Sequence, residues 1–225
     1  QKDYIRKDSL SYTRLNRAAL DGLLEDLSSG AKLVPASPTD DPDAPRVGFA
    51  STLLSPSIGY IRPASWQAAE LPEIDKALEE FGKSDVESLV LDLRVPQPAA
   101  DLAAAAQLVS RFVESDQLVF KIEYPDRKPT LFLSSASNQH WDGETIILVD
   151  SETCNAGELV AAWLQKSAES IVVGQPTAGV TVEYHEISLN EDTRLRYAAA
   201  EVLLGDGSSL FQEGVKPNYV LPEAL

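Results

Sequence analysis

Apolar residues near the start of the chain recur at helical spacing, within the stretch "SYTRLNRAALDGLLEDL" at residues 11–27. Four of them lie four residues apart: Leu15, Ala19, Leu23 and Leu27. This spacing predicts an amphipathic helix, and the following "SSG" is a stop signal. We therefore expect an N-terminal helical arm over residues 1–34. The Pro- and Asp-rich stretch "VPASPTDDPDAP" predicts an exposed loop in a linker over residues 35–57.

From residue 58 onward, short apolar runs alternate with helical patterns. "SIGYIR" and "ESLVLDL" predict strands, and "SWQAAELPEIDKALEEFG" and "AADLAAAAQLVSRFVES" predict helices. "QLVFKIEY", "PTLFLS", "ETIILVD" and "SIVVG" continue the strands, with a helix from Ala156 to about Lys166. "VEYHEISL" and "TRLRYAAAEVLL" predict a closing pair of strands. The alternation predicts an α/β core domain over residues 58–225, a mostly parallel sheet flanked by helices.

Composition restricts the class of partner. The chain has 225 residues, 44% of them hydrophobic, which is enough to bury a sizeable core. A net charge of -16 argues against nucleic acid and anionic membranes, because phosphate binding depends on Lys and Arg. No apolar run approaches the roughly 20 residues that span a bilayer. Cys154 is the single cysteine, so an internal disulfide is excluded.

The stretch "TCNAGELVAAWL" lies between the strand patterns "TIILV" and "SIVVG", so a strand turns sharply into a helix there. In several hydrolase folds such a turn holds a nucleophile at a helix N-terminus, where backbone N–H groups also stabilise an oxyanion. Here the turn carries Asn155, which has no nucleophilic atom. Asparagine is a favoured N-cap, so we expect its side-chain oxygen to accept a hydrogen bond from the start of the helix.

Five stretches together resemble the tail-specific, or C-terminal-processing, serine protease family. They are "IGYIRPASW", "LVLDLR", "IILVDSETCNAGELVAAWL", "SIVVGQPTAG" and "LLGDGSSLFQEGVKPNYVL", in the family's order, over residues 58–222. The resemblance implies a crotonase-like, ClpP-like core and endoproteolysis by a serine and lysine pair. It also implies an extracytoplasmic location, periplasmic or secreted. The family's PDZ domain is expected to be absent, because only about two dozen residues separate the arm from "SIGYIR".

The resemblance can be carried to individual positions of the catalytic machinery. The family's Thr-x-Ser-Ala-x-Glu turn aligns with Thr153 to Glu158, so the serine position falls on Asn155. The lysine of the family's Thr-x-Gly-Lys-Gly pattern falls on Val180, which has no titratable group. In the oxyanion loop Pro98 and Ala99 stand where the family has two glycines, and proline has no N–H to donate. We therefore expect no catalytic residues of the family type.

The remaining candidate residues have simpler interpretations. Cys154 and Ser151 adjoin the turn and are the alternative nucleophiles, but a lone cysteine beside strands is typically a small buried hydrophobe and a loop serine a cap. His140 and His185 are the only histidines, and no ligand-spaced cluster accompanies them, so we expect no metal and no cofactor. Glu158 is interpreted as a first-turn acid favoured by the helix dipole.

The expected function is therefore that of a catalytically inactive protease-like domain that binds a peptide or another ligand. The expected cleft is formed by Asn155, Ala156, Gly179 and Val180, and the ligand is an extended peptide, a protein C-terminus or a small apolar molecule. A homodimer or pairing with an active relative are further expectations. The alternative is an active serine or cysteine peptidase with a displaced nucleophile, Ser151 or Cys154.

Overall fold

The computed structural model describes residues 11–27, 30–36, 48–94, 101–137, 140–168 and 170–222. The helices are α1 (Tyr12–Leu27), α2 (Leu71–Lys83), α3 (Leu102–Val109) and α4 (Ala156–Ser167), and a 3-10 helix, Ala68–Glu70, precedes α2. The first strands are β1 (Ala31–Pro35), β2 (Ala50–Ser55), β3 (Ile58–Arg62), β4 (Ser88–Asp92), β5 (Leu118–Glu123) and β6 (Thr130–Leu133). The later strands are β7 (Glu144–Val149), β8 (Ile171–Gly174), β9 (Val182–Ser188), β10 (Thr193–Leu204) and β11 (Tyr219–Val220).

The strands form two sheets. The first, here called the parallel sheet, has the order β11-β8-β7-β4-β3-β2, and every pair in it is parallel except β2 with β3. The second has the order β1-β10-β5-β6, with β9 also paired to β10. In it β1 with β10, β10 with β5 and β5 with β6 are antiparallel. The prediction of a mixed α/β fold is confirmed. The expectation that β5 and β6 continue the parallel sheet is wrong, because they pair with β10 and with each other.

One face of the parallel sheet holds the main core. Its strands present fully buried side chains to α2, α3 and α4, among them Ile61, Leu89, Leu91, Ile147 and Val172, all at 0% exposure. The helices meet them with apolar faces, as the buried residues Ile74, Leu78 and Phe81 of α2 show. Burying such side chains stabilises the fold by about 1.5 to 3 kcal/mol each. The sheet edge at the carboxyl ends of β4 and β7 is thereby placed next to the start of α4.

Several boundaries differ from the sequence predictions. The segment 35–57, interpreted as a linker, contains β2, which is hydrogen-bonded to β3; residues 37–47 of that segment lie outside the described residues. The helix expected to close at Gly82 begins only at Leu71 and continues to Lys83. The helix expected to run through "VSRFVES" ends at Val109, where the Ser110 hydroxyl donates to the Ala106 carbonyl at 2.8 Å and competes with the helix ladder.

The chain divides into two compact units. One comprises Gln1–Asp40 with Tyr184–Ala199, and the other comprises Asp41–Glu183 with Ala200–Leu225. In the first unit α1 spans the predicted range, and β1 pairs with the beginning of β10 in the register Leu33 opposite Leu195. In the second unit lies the parallel sheet with α2, α3 and α4. Within the described residues, no helix is both long and apolar enough to cross a membrane.

Candidate functional site

The turn between β7 and α4 holds Asn155 in an unusual backbone conformation. Its φ is 46° and its ψ is -113°, a combination that glycine adopts far more easily than asparagine. A non-glycine residue held there stores about 1 to 3 kcal/mol of strain, which the surroundings must offset. Asn155 is half-buried and α4 begins at the next residue, Ala156, so the predicted placement at a helix N-terminus is confirmed.

The capping role expected of Asn155 is wrong. Its side chain makes no cap hydrogen bond; instead its amide nitrogen lies 3.8 Å from the Cys154 sulfur. The physical reason is the positive φ, since a capping residue ordinarily has extended backbone angles that aim its side chain at the N–H groups of the first turn. Asn155 therefore lacks the side-chain hydrogen bond that would explain it as a cap.

Hydrogen bonds to Asp150 and Thr153 hold the turn in place. The Thr153 N–H donates to the Asp150 carboxylate at 2.9 Å, and the Asp150 N–H donates to the Thr153 hydroxyl oxygen at 3.1 Å. Thr153 is fully buried, and its carbonyl accepts from the Ala178 N–H at 3.0 Å. Hydrogen bonds within the turn thus hold its conformation, and one further bond joins it to the loop that contains Ala178.

Glu158 fastens that same loop to α4. Its side chain is fully buried and accepts four hydrogen bonds, from the Thr177 hydroxyl (2.6 Å), the Gly179 N–H (2.6 Å), the Val180 N–H (3.1 Å) and the Thr181 hydroxyl (2.6 Å). A buried carboxylate is tolerated when hydrogen-bond donors surround it in this way. The interpretation of Glu158 as a first-turn acid located it correctly, but it missed this anchoring role. The two threonine hydroxyls in "TAGVT" were the available signal.

The structure places Asn155 and Val180, the expected nucleophile and base positions, in two segments that are hydrogen-bonded to each other. The Thr181 hydroxyl donates to the Asn155 carbonyl at 3.3 Å, and Val180 precedes it in the loop that Glu158 holds. Gly179 is buried, and its φ of 66° allows the loop to turn beside Gln212, whose N–H donates to the Gly179 carbonyl. Ala156 is fully buried at the start of α4. All four residues of the expected cleft therefore belong to two segments that are hydrogen-bonded together.

A buried carboxylate lies at the carboxyl end of β4, where the oxyanion loop would begin. Asp92 accepts from the Tyr60 hydroxyl at 2.8 Å and from the Arg94 guanidinium in two bonds of 2.8 Å. Burial raises the pKa of Asp92, but hydrogen bonds from Arg94 and Tyr60 outweigh it and hold the pKa below its usual value. Burial and the hydrogen bond to Asp92 raise the pKa of Tyr60. Pro98 and Ala99, the altered positions of this loop, lie outside the described residues.

The alternative nucleophiles occupy the same turn in different settings. Ser151 is exposed and Cys154 is half-buried, with the Asn155 amide as a neighbour. His140 is exposed, and His185 lies in β9 with its ring edge against Tyr197. Across the described ranges, no group of three or more His, Cys, Asp or Glu side chains has an arrangement that could hold a metal ion.

A serine and lysine pair that the sequence interpretation missed lies at the other end of α4. The Lys166 ammonium donates to the Ser208 hydroxyl at 2.7 Å and to the Asp206 carboxylate at 2.8 Å, beside a cleft of about 720 Å³. Hydrogen bonds from Lys166 and Ser208 lower the pKa of Asp206. An ammonium that donates to a carboxylate is not a general base, because a base lysine must be neutral. This pair is therefore a surface salt bridge rather than a catalytic dyad.

The chain is similar to known proteins of one peptidase family. A family model described as Peptidase family S41 matches residues 57–221. The carboxy-terminal processing protease CtpA of Bacillus subtilis is 22% identical over 161 residues, which are 72% of this chain and 34% of that protein. The carboxyl-terminal-processing protease of a Picosynechococcus species is 25% identical over 167 residues, 74% of this chain and 39% of its own length. The chain thus spans roughly a third of these curated relatives.

Solved structures share the fold. The photosystem II D1 C-terminal processing protease superposes with a TM-score of 0.63 at 19% identity, covering 85% of this chain and 48% of its own. A crystal structure from Parabacteroides merdae superposes with a TM-score of 0.73 at 17% identity, covering 95% of this chain and 77% of its own. At these identities the likeness is one of fold, and the chemistry of the turn has to be argued from the residues of this chain.

Proposed function

The chain belongs to peptidase family S41, and we propose that it has no peptidase activity and uses the former active-site cleft to bind a ligand. The core that carries the cleft is, on the resemblance, of the crotonase and ClpP type. The relatives are C-terminal processing proteases, three of them named as chloroplastic. An extracytoplasmic location for this chain is part of the proposal and rests on the family resemblance.

One observation supports the loss of catalysis above all others. The side chains at the two catalytic positions, Asn155 and Val180, supply neither a nucleophile nor a base, although the scaffold around both positions is intact. Glu158 still anchors the loop of Val180 with four hydrogen bonds, and Asn155 still holds the strained turn. A serine peptidase of the family type needs both groups in hydrogen-bond contact. An intact scaffold with replaced chemistry favours binding as the retained function.

The chemistry of the cleft favours an extended peptide with an apolar end. Val180 is half-buried and apolar, and its N–H donates to Glu158 in the first turn of α4, so an apolar group of a ligand suits this position. A small apolar molecule is the second ligand class that this lining fits. Pairing with an active relative would use the same binding surface for a protein C-terminus.

A reversion series tests the absence of catalysis. We expect the unmodified protein and its Asn155→Ser variant to leave casein and a fluorogenic peptide uncleaved, because a serine hydroxyl without a base is a weak nucleophile. Adding Val180→Lys is expected to produce at most weak cleavage, since loss of one oxyanion donor lowers kcat by about 100- to 1,000-fold. Replacing Pro98 and Ala99 with glycine as well is expected to restore clear cleavage. Val180→Lys alone is the matched control.

The alternative, an active peptidase with a displaced nucleophile, predicts the opposite result. It requires the unmodified protein to cleave one of these substrates, with the cleavage lost in Ser151→Ala or Cys154→Ala. That result would replace the proposed function with a peptidase of altered chemistry. Retained cleavage in both variants would point to a contaminating protease and leave the reversion series as the deciding measurement.

Binding is tested with a fluorescein-labelled unstructured peptide that ends in apolar residues, followed by anisotropy. We expect saturable binding that Val180→Lys weakens by at least about fivefold, because the ammonium would have to be desolvated against the apolar end of the peptide. Glu79→Gln, on the exposed side of α2, is the control and should bind as the unmodified protein does. No binding of this peptide or of an apolar fluorescent dye at millimolar concentration would contradict the proposal.

A further inference from the structure

A second cleft lies at the amino-terminal edge of the parallel sheet, away from the edge next to Asn155. Glu87 directly precedes β4, and Asp142 lies two residues before β7, which runs parallel to β4. Strand β4 has five residues, so about 16 Å separates this edge from Asp92 at the carboxyl end of the strand. We call this second cleft, which has a volume of about 480 Å³, the amino-edge cleft. Its volume is within the range of small-ligand sites, about 300 to 1,000 Å³.

The lining of the amino-edge cleft is apolar where it is buried and mostly charged where it is exposed. The buried residues are Leu78, Val86 and Trp141, and the exposed aspartates and glutamates that make no ion pair within the described residues are Asp85, Glu87 and Asp142. We call these three carboxylates the acidic rim. Among the described residues of the lining, Lys83 is the one lysine or arginine, and its ammonium is paired with Glu79 at 2.6 Å. The rim therefore leaves the cleft with an excess of negative charge.

Trp141 brings to this cleft a buried hydrogen-bond donor that lacks an acceptor. The residue is 7% exposed, and its indole Nε1–H has no hydrogen-bond partner among the described residues. A buried tryptophan N–H usually finds a partner, and leaving a buried donor unsatisfied costs about 1 to 3 kcal/mol. A ligand atom that accepts a hydrogen bond from the indole would remove this penalty.

The tryptophan is held firmly beside the acidic rim. Its backbone N–H donates to the Arg111 carbonyl at 2.7 Å, and the Arg111 guanidinium donates to Asp75 of α2 at 2.8 Å. A Cβ at Gly143 would lie 2.5 Å from the Glu87 carbonyl oxygen and 2.7 Å from Cζ2 of the Trp141 indole. Glycine at this position thus lets the indole pack against the start of β4. The unpaired donor and one residue of the rim are therefore neighbours.

The cleft needs a ligand that supplies both a cation and a hydrogen-bond acceptor. Arginine is the cation whose planar fork of donors fits carboxylates best, and its methylene stem suits the buried apolar part of the lining. A guanidinium has no acceptor for the Trp141 N–H, but the main-chain carbonyl of a peptide has one. A polyamine supplies the positive charge without the acceptor. An arginine residue within a peptide meets both requirements.

We propose that the amino-edge cleft binds an arginine-containing basic segment of a partner protein. The guanidinium binds the acidic rim, and a main-chain carbonyl of the segment accepts a hydrogen bond from the Trp141 indole. The net charge of -16 on the chain attracts such a segment over a longer range. The proposal is independent of the proposed function, because the lining of this cleft shares no residue with the site of Asn155 and Val180.

Nuclear magnetic resonance on the ¹⁵N-labelled full chain tests the contact with the indole. The three tryptophans give three indole N–H signals, and Trp141→Phe identifies the one from Trp141. Titration with the capped peptide acetyl-Gly-Arg-Gly-amide should shift this signal saturably. The indole N–H of Trp66 is also buried and without a partner among the described residues, but Trp66 is outside the lining, so its signal should stay in place.

Two further ligands separate the roles of charge and acceptor. The same peptide with citrulline in place of arginine is neutral, and we expect it to bind at least about tenfold more weakly. Spermidine carries charge but no acceptor, and it should leave the Trp141 signal in place. Raising sodium chloride should weaken the binding of the arginine peptide, because the salt screens its attraction to the rim.

Substitutions on the rim test where the cation binds. Glu87→Gln and Asp142→Asn should each raise the Kd of the arginine peptide by at least about threefold, and together by at least about tenfold, because each removes one charge. Both residues are exposed, so the core is undisturbed, and thermal melts check the fold. Glu73→Gln removes an exposed carboxylate from the other end of α2 and is the matched control.

Three results would overturn the proposal. The first is no shift of the Trp141 signal at about 10 mM peptide, a concentration that detects even weak binding. The second is equal binding by the unmodified chain and the double rim variant, which would mean nonspecific association. The third is a shift by spermidine as large as that by the peptide, which would exclude a bond from the indole to a carbonyl. If Trp141→Phe does not fold, the citrulline peptide and the rim variants still decide.

Discussion

Asn155 and Glu158 lie three residues apart in the sequence and differ in what their side chains contribute to the fold. Asn155 occupies the turn with φ at 46° and adds neither a cap nor a nucleophile. Glu158, one helical turn later, is fully buried and holds two backbone N–H groups and two hydroxyls of the neighbouring loop. The residue that carries the site's architecture is therefore distinct from the residue at its reactive position.

Replacing Glu158 should destabilise the protein strongly. In Glu158→Gln an NH₂ group replaces one carboxylate oxygen, so the donors that this oxygen accepted from lose their acceptor. Leaving a buried donor without an acceptor costs about 1 to 3 kcal/mol. We expect a loss of about 2 to 4 kcal/mol in the free energy of unfolding, measured by urea denaturation, given the four bonds involved. Glu79→Gln, an exposed glutamate, should change it by less than about 0.5 kcal/mol. Equal values for the two variants would refute the anchoring role.

Asp92 should make stability depend on pH in a specific window. Its pKa in the folded protein is lowered, so its contribution is complete above the unfolded-state value of about 4 and is lost as the pH falls through the folded value. Asp92→Asn removes the charge from the bonds to Arg94, and we expect it to lower the free energy of unfolding by about 2 kcal/mol at pH 7. The difference between the two proteins should shrink below about pH 4. A difference that grows on acidification would show that the pKa of Asp92 is not lowered in the folded protein.

At the scale of elements, helices α3 and α4 begin in different ways, although each follows a strand of the parallel sheet. Helix α3 starts with Asp101, whose carboxylate accepts from the N–H groups of Ala103 at 2.9 Å and Ala104 at 3.3 Å. Helix α4 starts with Asn155 and has no side-chain cap bond. Buried tertiary contacts take over that stabilising role in α4, because nine consecutive residues from Ala156 to Leu164 are buried.

This contrast gives a matched pair of substitutions. Asp101→Ala should lower the free energy of unfolding by about 1 kcal/mol, the usual effect of removing an N-cap acceptor. Asn155→Ala should change it by less than about 0.5 kcal/mol, because no cap bond is lost. Chemical denaturation of both variants measures the difference. If Asn155→Ala proves as damaging as Asp101→Ala, the asparagine side chain must have a structural role that its contacts do not reveal.

At the scale of the whole molecule, charge opposes compactness. The net charge of -16 is spread over one chain, and its surface ion pairs, such as Arg17 with Asp21 and Lys83 with Glu79, are exposed and worth about 0 to 1 kcal/mol each. Salt weakens both these ion pairs and the long-range repulsion among the excess carboxylates. Because the pairs contribute little, we expect the screening of the repulsion to have the larger effect on stability. The protein should be more stable in salt than without it.

Thermal unfolding checks this balance. Raising sodium chloride from about 0.01 M to 0.3 M shortens the Debye length from about 30 Å to about 6 Å, so the repulsion is largely screened. We expect the Tm to rise by about 2 to 5 °C, measured at low protein concentration so that self-association does not contribute. A Tm that falls over this range would mean that local ion pairs dominate the electrostatics of the fold.

Local elements of this protein could be predicted from the sequence, because helical spacing and apolar runs are properties of neighbouring residues. Helices α1 and α4 and strands β3, β4, β7 and β8 lie where their patterns place them. The ordered motifs identified the family and the turn at Asn155. The proposal that the catalytic positions are replaced also rests on the sequence, since a side chain without a nucleophile or a base needs no coordinates to be recognised.

Only the tertiary structure decided which strands pair and what Glu158 contacts. Strand β5 pairs with β10, about 80 residues further along, and β2 pairs with β3 from within a predicted linker. Such pairings depend on the registers of distant segments, and an apolar run does not encode whether its partner is parallel or antiparallel. The anchoring of residues 177–181 by Glu158 arises in the same way. It depends on which surfaces the assembled chain buries, and local spacing does not specify that choice.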